Sequence, residues 1–185
     1  MNMGYFDIVK PASNEWNLKF SEWLAANYLH KDMKILDLGC GRGTVVAYLK
    51  DMGYNAQGYD YPDIDLEKPM KLKDNSYDFI LLKFVIEHVT DINQLFSEIT
   101  RILKPGGLVL ILTDDYPRQW KEFYDDPTHK TPMTKARLKT LARINNLLIL
   151  SCRRWRNLPY VWRYSINAFD YTFFNAKQLI GVFQK

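Results

Sequence analysis

The stretch KILDLGCGRGTVVAYL, Lys34 to Leu49, constrains the fold of this chain more than any other. A short apolar run, right for one buried strand, breaks into glycines at every second position (Gly39, Gly41, Gly43), and an amphipathic run follows at once. Glycine accepts the left-handed backbone of a tight turn and lets main chain approach a ligand closely. Strand, glycine turn and helix in that order begin a parallel β-α-β unit, and the rest of the chain continues the alternation. Upstream, NEWNLKFSEWLAANYL places Trp16, Phe20, Trp23, Leu24 and Tyr28 at helical spacing, with Ser13 or Asn14 as N-cap. Downstream, GTVVAYLKDMG predicts a helix stopped at Gly53, and NAQGYD and SYDFILLKFV predict strands. DINQLFSEITRIL is an amphipathic helix halted by KPGG, with the strand GLVLILTDD behind it. TKARLKTLARINN reads as a basic helix, and LLILSCRRW and KQLIGVFQK as strands. YPRQWKEFYDDPTHKTPM has three prolines, four aromatics and no stable period, which marks a functional loop. NLPYVWRYSINAFDYTFF is an aromatic-rich crossing segment.

This pattern predicts an α/β fold, a parallel sheet with helices on both faces, in one domain of 185 residues. Ligands in such sheets lie beyond the carboxyl ends of the strands, which directs attention to Asp37–Gly43, Asp60, Lys83–His88 and the residues from Thr113 onward. No run approaches the ~20 apolar residues of a membrane span, and MNMGYFDIVKPASNEW lacks the basic and apolar regions of a signal peptide. Cys40 and Cys152 are too few for a disulfide framework. Cytoplasmic residence is the expectation.

The turn itself excludes two ligands. A phosphate-binding P-loop needs Lys followed by Ser or Thr after its last glycine, whereas Gly43 is followed by Thr44 and Val45. A dinucleotide fingerprint reads G-x-G-x-x-G, and here the spacing is G-x-G-x-G with Asp37 two residues before the first glycine. A carboxylate there opposes a phosphate and suits a ligand with a cationic centre, and an acidic residue after the second strand can hold a ribose.

These residues resemble class I S-adenosylmethionine-dependent methyltransferases of the methyltransferase type 11-like kind. ILDLGCGRG is similar to that family's first motif. Asp60, in GYDYP, stands at its ribose-binding position. DIDLEKPMKLKDNSYDFILL resembles the third and fourth motifs, and FVIEHVTD and ILKPGG complete the set over residues 33–113. The resemblance implies a Rossmann-like, doubly wound, mostly parallel sheet of seven strands, with S-adenosyl-L-methionine as cofactor. It assigns cofactor contacts to Asp37, Gly39, Cys40, Gly41, Asp60, Tyr61, Asp65, Leu66, Lys83 and Phe84. Gly39 and Gly41 would pack on the methionine part, Asp37 would position its amino group, and Lys83 and Phe84 would flank the methyl. Between Asp60 and Asp65 the chain has four residues where the family usually inserts a helix and a strand. The sheet edge is therefore trimmed, and Tyr61, Pro62 or Ile64 would cover the adenine. Residues 14–112 then form the cofactor-binding core and 113–175 the acceptor-binding part.

Methyl transfer to a hydroxyl benefits from a general base, and histidine is the usual choice. His30 ends the first helix and is structural or exposed. His88 follows the strand near the expected methyl position, and His129 lies in YDDPTHKTPMT. That loop resembles the DPTH segment of methyltransferases encoded among glycan and lipopolysaccharide biosynthesis genes. The resemblance implies a saccharide or phosphate-linked sugar as acceptor, His129 as base, and Asp126 as its orienter or as a sugar ligand. Asp114, Tyr116 and Tyr124 join the acceptor side, where Trp120, Phe123, Trp155, Tyr160 and Trp162 could also stack on sugars. Arg154 and Arg156, with Arg153, suit a phosphate. The main reading assigns no metal. The alternative places one on Glu87, His88 and His129, perhaps with Asp114, in a site like that of small-RNA terminal 2′-O-methyltransferases, whose Glu and His cluster is denser.

Two rivals stand beside this reading. From Pro127 to Phe169 there are nine Lys or Arg and no Asp or Glu, and an RNA or protein methyltransferase could use the basic stretch Lys130 to Arg163 within it. The chain has little room for an RNA-reading module, which disfavours nucleic acid. The second rival is a catalytically inactive partner protein with the same fold.

Overall fold

The computed structural model describes residues 13–155 and 177–185. Helix α1 (Asn14–Tyr28) starts where Ser13 accepts the Trp16 N–H on its hydroxyl, an N-cap that satisfies a donor the helix leaves unpaired. Strand β1 (Lys34–Leu38) enters the glycine turn, and α2 (Thr44–Asp51) leaves it and ends before Gly53 at φ +80°. Strands β2 (Asn55–Tyr59) and β3 (Tyr77–Lys83) follow, then a 3-10 turn (Ile86–His88). Asp91 caps α3 (Ile92–Ile102) by accepting the Gln94 N–H. Strand β4 (Leu103–Asp114) begins just before KPGG and runs through it, earlier than the sequence suggests, because Leu103 already pairs with Tyr77. The functional loop holds a short helix α4 (Tyr116–Gln119) and a 3-10 turn (Phe123–Asp125). Thr134 caps α5 (Lys135–Ile144), and β5 (Leu148–Trp155) and β6 (Gln178–Gln184) complete the sheet.

The sheet order is β2-β1-β3-β4-β6-β5. β2, β1, β3 and β4 run parallel, and β6 is antiparallel to both β4 and β5. The strand count corrects one expectation: six strands stand among the described residues where seven are expected. No strand forms between Tyr59 and Tyr77, so β2 is left at the edge, as the shortened spacing between Asp60 and Asp65 requires.

The alternation of side chains in the strands builds two apolar layers. Leu36 and Leu38, Ile80 and Leu82, and Val109 and Ile111 face the layer that includes α3 and α5. Ile35, Phe79 and Leu81, and Leu110 and Leu112 face the layer with Phe20 and Leu24 of α1 and Val45 and Leu49 of α2. Asp37 is in phase with Ile35, so a carboxyl group occupies a position where the pattern calls for an apolar side chain. Among the described residues no helix is long and apolar enough to cross a membrane.

Candidate active site

At the ends of β1 and β2 the main chain and one carboxylate shape the turn. Gly39 N–H and Cys40 N–H both donate to Tyr59 O (2.8 and 3.2 Å), which ties the turn to the neighbouring strand. Asp60 Oδ2 accepts the Gly41 N–H (2.5 Å) and Oδ1 accepts the Tyr61 N–H (2.7 Å). Gly39 has φ +73°, and a Cβ there would lie 2.5 Å from Val85 Cγ2. We expect Gly39→Ala to lose about 2–3 kcal/mol in urea unfolding, from overpacking and the left-handed backbone together. In a Val85→Ala background the same change should cost less, because part of the overlap is gone. The Cys40 side chain sits against Gly58, where an added Cβ would meet Sγ at 2.9 Å, so it packs the turn against β2. Burial and the charges of Asp37, Asp60 and Asp63 push its thiol up to about 11, which keeps it protonated and unreactive.

Asp37 is buried, and among the described residues its Oδ1 has no hydrogen-bond partner. An orphaned carboxylate oxygen suits the ammonium of an amino-acid group, and with Asp60 it makes this end of the sheet fit S-adenosylmethionine. Burial raises the Asp37 pKa to about 7; the Lys83 ammonium works against that rise and Asp60 adds to it. The folded state therefore keeps a proton that the unfolded chain releases from pH 3.8 upward. Stability contributed by this group is present below that pH and falls as pH rises toward 7. Asp37→Asn is expected to flatten that part of the profile, read as urea midpoints across a pH series.

At the end of β3, Lys83 Nζ lies 4.9 Å from the Trp16 ring and 5.7 Å from the Phe84 ring. Burial lowers the Lys83 pKa, and Asp37 and Glu87 oppose that by favouring its charge. Phe84 has φ +55°, a backbone state that a bulky residue adopts only when its surroundings impose it, and its N–H donates to Leu112 O (2.8 Å). Trp16 thus brings α1 to the site, a role its helical spacing gave no sign of. Tyr61 is 77% exposed and available to cover a ring. Asp65 and Leu66 are placed differently from the rest. Asp65 Oδ1 accepts the Glu67 N–H and Oδ2 pairs with Lys68 (2.7 Å), and Leu66 packs on the core. A cleft of about 340 Å³ beside them is lined by Tyr59, Pro62, Ile64, Asp65, Met70 and Leu72, among others.

The acceptor loop folds back onto the 3-10 turn after β3. Glu87 O accepts the N–H groups of Lys130 (2.8 Å) and Thr131 (2.9 Å), and this holds His129 beside His88 with ring centroids 4.8 Å apart. His129 Nδ1 lies 2.6 Å from Phe123 O, an acceptor without a proton, so Nδ1 carries the hydrogen and the neutral ring has its lone pair on Nε2. Asp126 Oδ2 is 3.9 Å from that Nε2, while Oδ1 accepts from Thr128 Oγ1 (2.6 Å) and Thr128 N (2.8 Å). Burial and the neighbouring His129 lower the His88 pKa and keep that ring neutral. Burial raises Glu87 to about 8, helped by Asp114 and Asp126 and opposed by the hydrogen bond from Thr113 Oγ1 (2.9 Å). Burial also raises Asp114.

Tyr116 and Tyr124 stand near one another around the buried Phe123, with Tyr124 and Trp120 exposed. Trp155 is corrected from a sugar-stacking candidate to core: it is buried edge-on against Trp23 at 4.4 Å. Arg154 donates to Asp115 Oδ2 (2.6 Å), a buried carboxylate the sequence gave no reason to single out, and faces an open cleft with Arg118 and Lys177. Arg156, Tyr160 and Trp162 lie outside the described residues. Thr128 is the other residue that spacing could not reveal, since its partner His88 is remote in sequence.

A family model described as a methyltransferase domain matches residues 15–185. A ubiquinone biosynthesis O-methyltransferase of Bartonella tribocorum is 30% identical over 110 residues, 49% of this chain and 44% of the relative. A ubiquinone/menaquinone biosynthesis C-methyltransferase of Campylobacter jejuni is 23% identical over 120 residues, 52% of this chain and 51% of the relative. The chain thus matches about half the length of these curated relatives or less. A S-adenosylmethionine-dependent methyltransferase structure from Archaeoglobus fulgidus superposes with a TM-score of 0.75 at 19% identity, covering 94% of this chain and 95% of that one.

Proposed function

The chain belongs to the methyltransferase domain family and has the fold of its S-adenosylmethionine-dependent members, and from that premise we propose that it methylates a hydroxyl group of a sugar. The observation that carries this reading is the state of His129. With Nδ1–H held by Phe123 O, Nε2 is the nitrogen of the neutral ring that can take a proton, in the loop that faces the carboxyl ends of the strands. S-adenosylmethionine supplies a sulfonium methyl carbon, to which the acceptor oxygen bonds as the carbon–sulfur bond breaks. His129 Nε2 takes the hydroxyl proton, and Asp126 steadies the resulting imidazolium from 3.9 Å. Residues 14–112 hold the cofactor, with Asp60 on the ribose and Asp37 on the amino group, and 113–175 bind the acceptor. Holding both partners in line supplies much of the rate. Tyr116, Tyr124 and Asp114 line the sugar side, and Arg154 adds a cation beside the cleft for a phosphate-linked sugar.

A second reading comes from the curated relatives, whose names place them in quinone biosynthesis: a phenolic hydroxyl in place of the sugar. Transfer of labelled methyl should be measured across free sugars, nucleotide sugars, polyphenols and RNA. Transfer to a saccharide supports the proposal, and transfer to a phenol or RNA alone overturns it. The inactive-partner alternative is tested by calorimetry, since a chain that does not bind S-adenosylmethionine has no part in transfer.

A further inference from the structure

The strand register brings two opposite charges to one end of the sheet. β1 and β3 run parallel with Asp37 opposite Leu81, and successive side chains of a strand alternate between faces. Asp37 therefore shares the α1 side of the sheet with Ile35, Phe79 and Leu81. Lys83, two residues past Leu81, continues the same row at the carboxyl end of β3. Each group feels the other: Lys83 favours the ionised form of Asp37, and Asp37 favours the charge on Lys83.

The Lys83 ammonium is held in place without being neutralised. The Trp16 ring, 4.9 Å from Nζ, is itself fixed to α1 by stacking on Phe20 at 5.1 Å. Aromatic faces attract a cation but leave its charge standing. Among the described residues the half-buried Lys83 donates no hydrogen bond and forms no ion pair. The carboxyl groups that favour its charge are Asp37 and Glu87, and burial pushes them up to about 7 and about 8. Neither is a full counter-charge at neutral pH. A cation without an anion thus stands beside a buried acid whose Oδ1 has no partner among the described residues.

An amino-acid zwitterion answers both needs at once. We propose that Lys83, steadied by Trp16, holds the carboxylate of the methionine part of S-adenosylmethionine, opposite Asp37 on its amino group. The family motif sets Lys83 beside the methyl instead. Charge argues against that task, because an ammonium repels a sulfonium and attracts a carboxylate. The pairing also confers selectivity: a sulfonium ligand with an amine and no carboxylate carries one more net positive charge and leaves Lys83 opposed rather than matched. The inference rests on S-adenosylmethionine as the cofactor, and the identity of the acceptor does not enter it.

The test titrates the full chain calorimetrically, without acceptor, with S-adenosylmethionine and with its decarboxylated form, which keeps the sulfonium and the amine. The unaltered chain is expected to bind S-adenosylmethionine at least about tenfold more tightly, the effect of one hydrogen bond to a charged group. In Lys83→Met the cofactor should weaken by about that factor while the decarboxylated form binds as well as before or better, leaving a preference within about threefold. Lys83→Arg keeps the charge and should retain most of the preference. Trp16→Leu keeps the charge but removes its support, and should narrow the preference by about threefold. A merely structural role for Lys83 weakens both ligands alike, and urea unfolding shows whether each variant is folded. The proposal is overturned by equal affinity of the unaltered chain for the two ligands, or by a preference that survives Lys83→Met. The first of these needs no variant at all. An unaltered chain that binds neither ligand removes the cofactor reading itself; a Lys83-dependent preference without methylation of any saccharide removes the sugar reading alone.

Discussion

His129→Ala is expected to lower turnover by about a thousandfold, within the 10²–10⁴ range that a positioned acid–base group contributes, and to leave the dissociation constant for S-adenosylmethionine unchanged. The separation follows from geometry. His129 touches Phe123, His88 and Asp126, and none of the three holds the glycine turn or the Asp60 carboxylate. Its loss therefore removes the proton acceptor without loosening the cofactor end. His88→Ala is the paired control. His88 stands beside His129, with Nδ1 2.9 Å from Thr128 Oγ1, and burial lowers its pKa, so it is the other candidate base. Single-turnover rates of the two variants distinguish the candidates: full turnover in His129→Ala with none in His88→Ala moves the base to His88. Asp126→Asn should fall between, since it withdraws charge from His129 and weakens the grip on Thr128 together.

The cofactor half was legible in the sequence because its signals are local. Glycine at position 39 answers to a positive φ in the turn that closes β1, which the glycine spacing shows directly; its contact with Val85, from the far end of β3, does not show in the sequence. The trimmed edge was legible too, since four residues between Asp60 and Asp65 cannot hold a helix and a strand. Where local reasoning failed, the partner came from elsewhere in the chain. Trp155 resembles any exposed aromatic of a sugar site until β5 is placed beside α1, where Trp23 buries it. Arg154 stands beside the cleft, but spacing gave no sign that the turn after β4 would set the buried Asp115 against it. The relay from Asp126 through Thr128 to His88 joins a loop to the end of a strand, a register that only the parallel sheet order establishes.

Asp60→Ala is expected to raise the dissociation constant for S-adenosylmethionine by at least about a hundredfold. Each Asp60 oxygen already accepts one main-chain N–H, from Gly41 and from Tyr61, and retains a lone pair for a ribose hydroxyl. Hydrogen bonds to a charged group contribute about 1.5–3 kcal/mol each, and about 1.4 kcal/mol is a tenfold change in affinity. Losing two such bonds to the ligand gives the hundredfold figure before the effect on the turn is added. The turn adds to it because Gly41 then loses its main-chain N–H acceptor, although the Gly39 and Cys40 bonds to Tyr59 and the Gly43 N–H to Cys40 O remain. Asp60→Asn separates the two contributions. Its amide oxygen can still accept one main-chain N–H, so the turn is partly kept while the charge is lost, and a smaller loss of about tenfold is expected. Calorimetric titration of both variants, with urea unfolding to show that each is folded, measures the difference. Affinity in Asp60→Ala within about threefold of the unaltered chain would remove the ribose from this carboxylate and leave Asp60 as a clamp on the glycine turn.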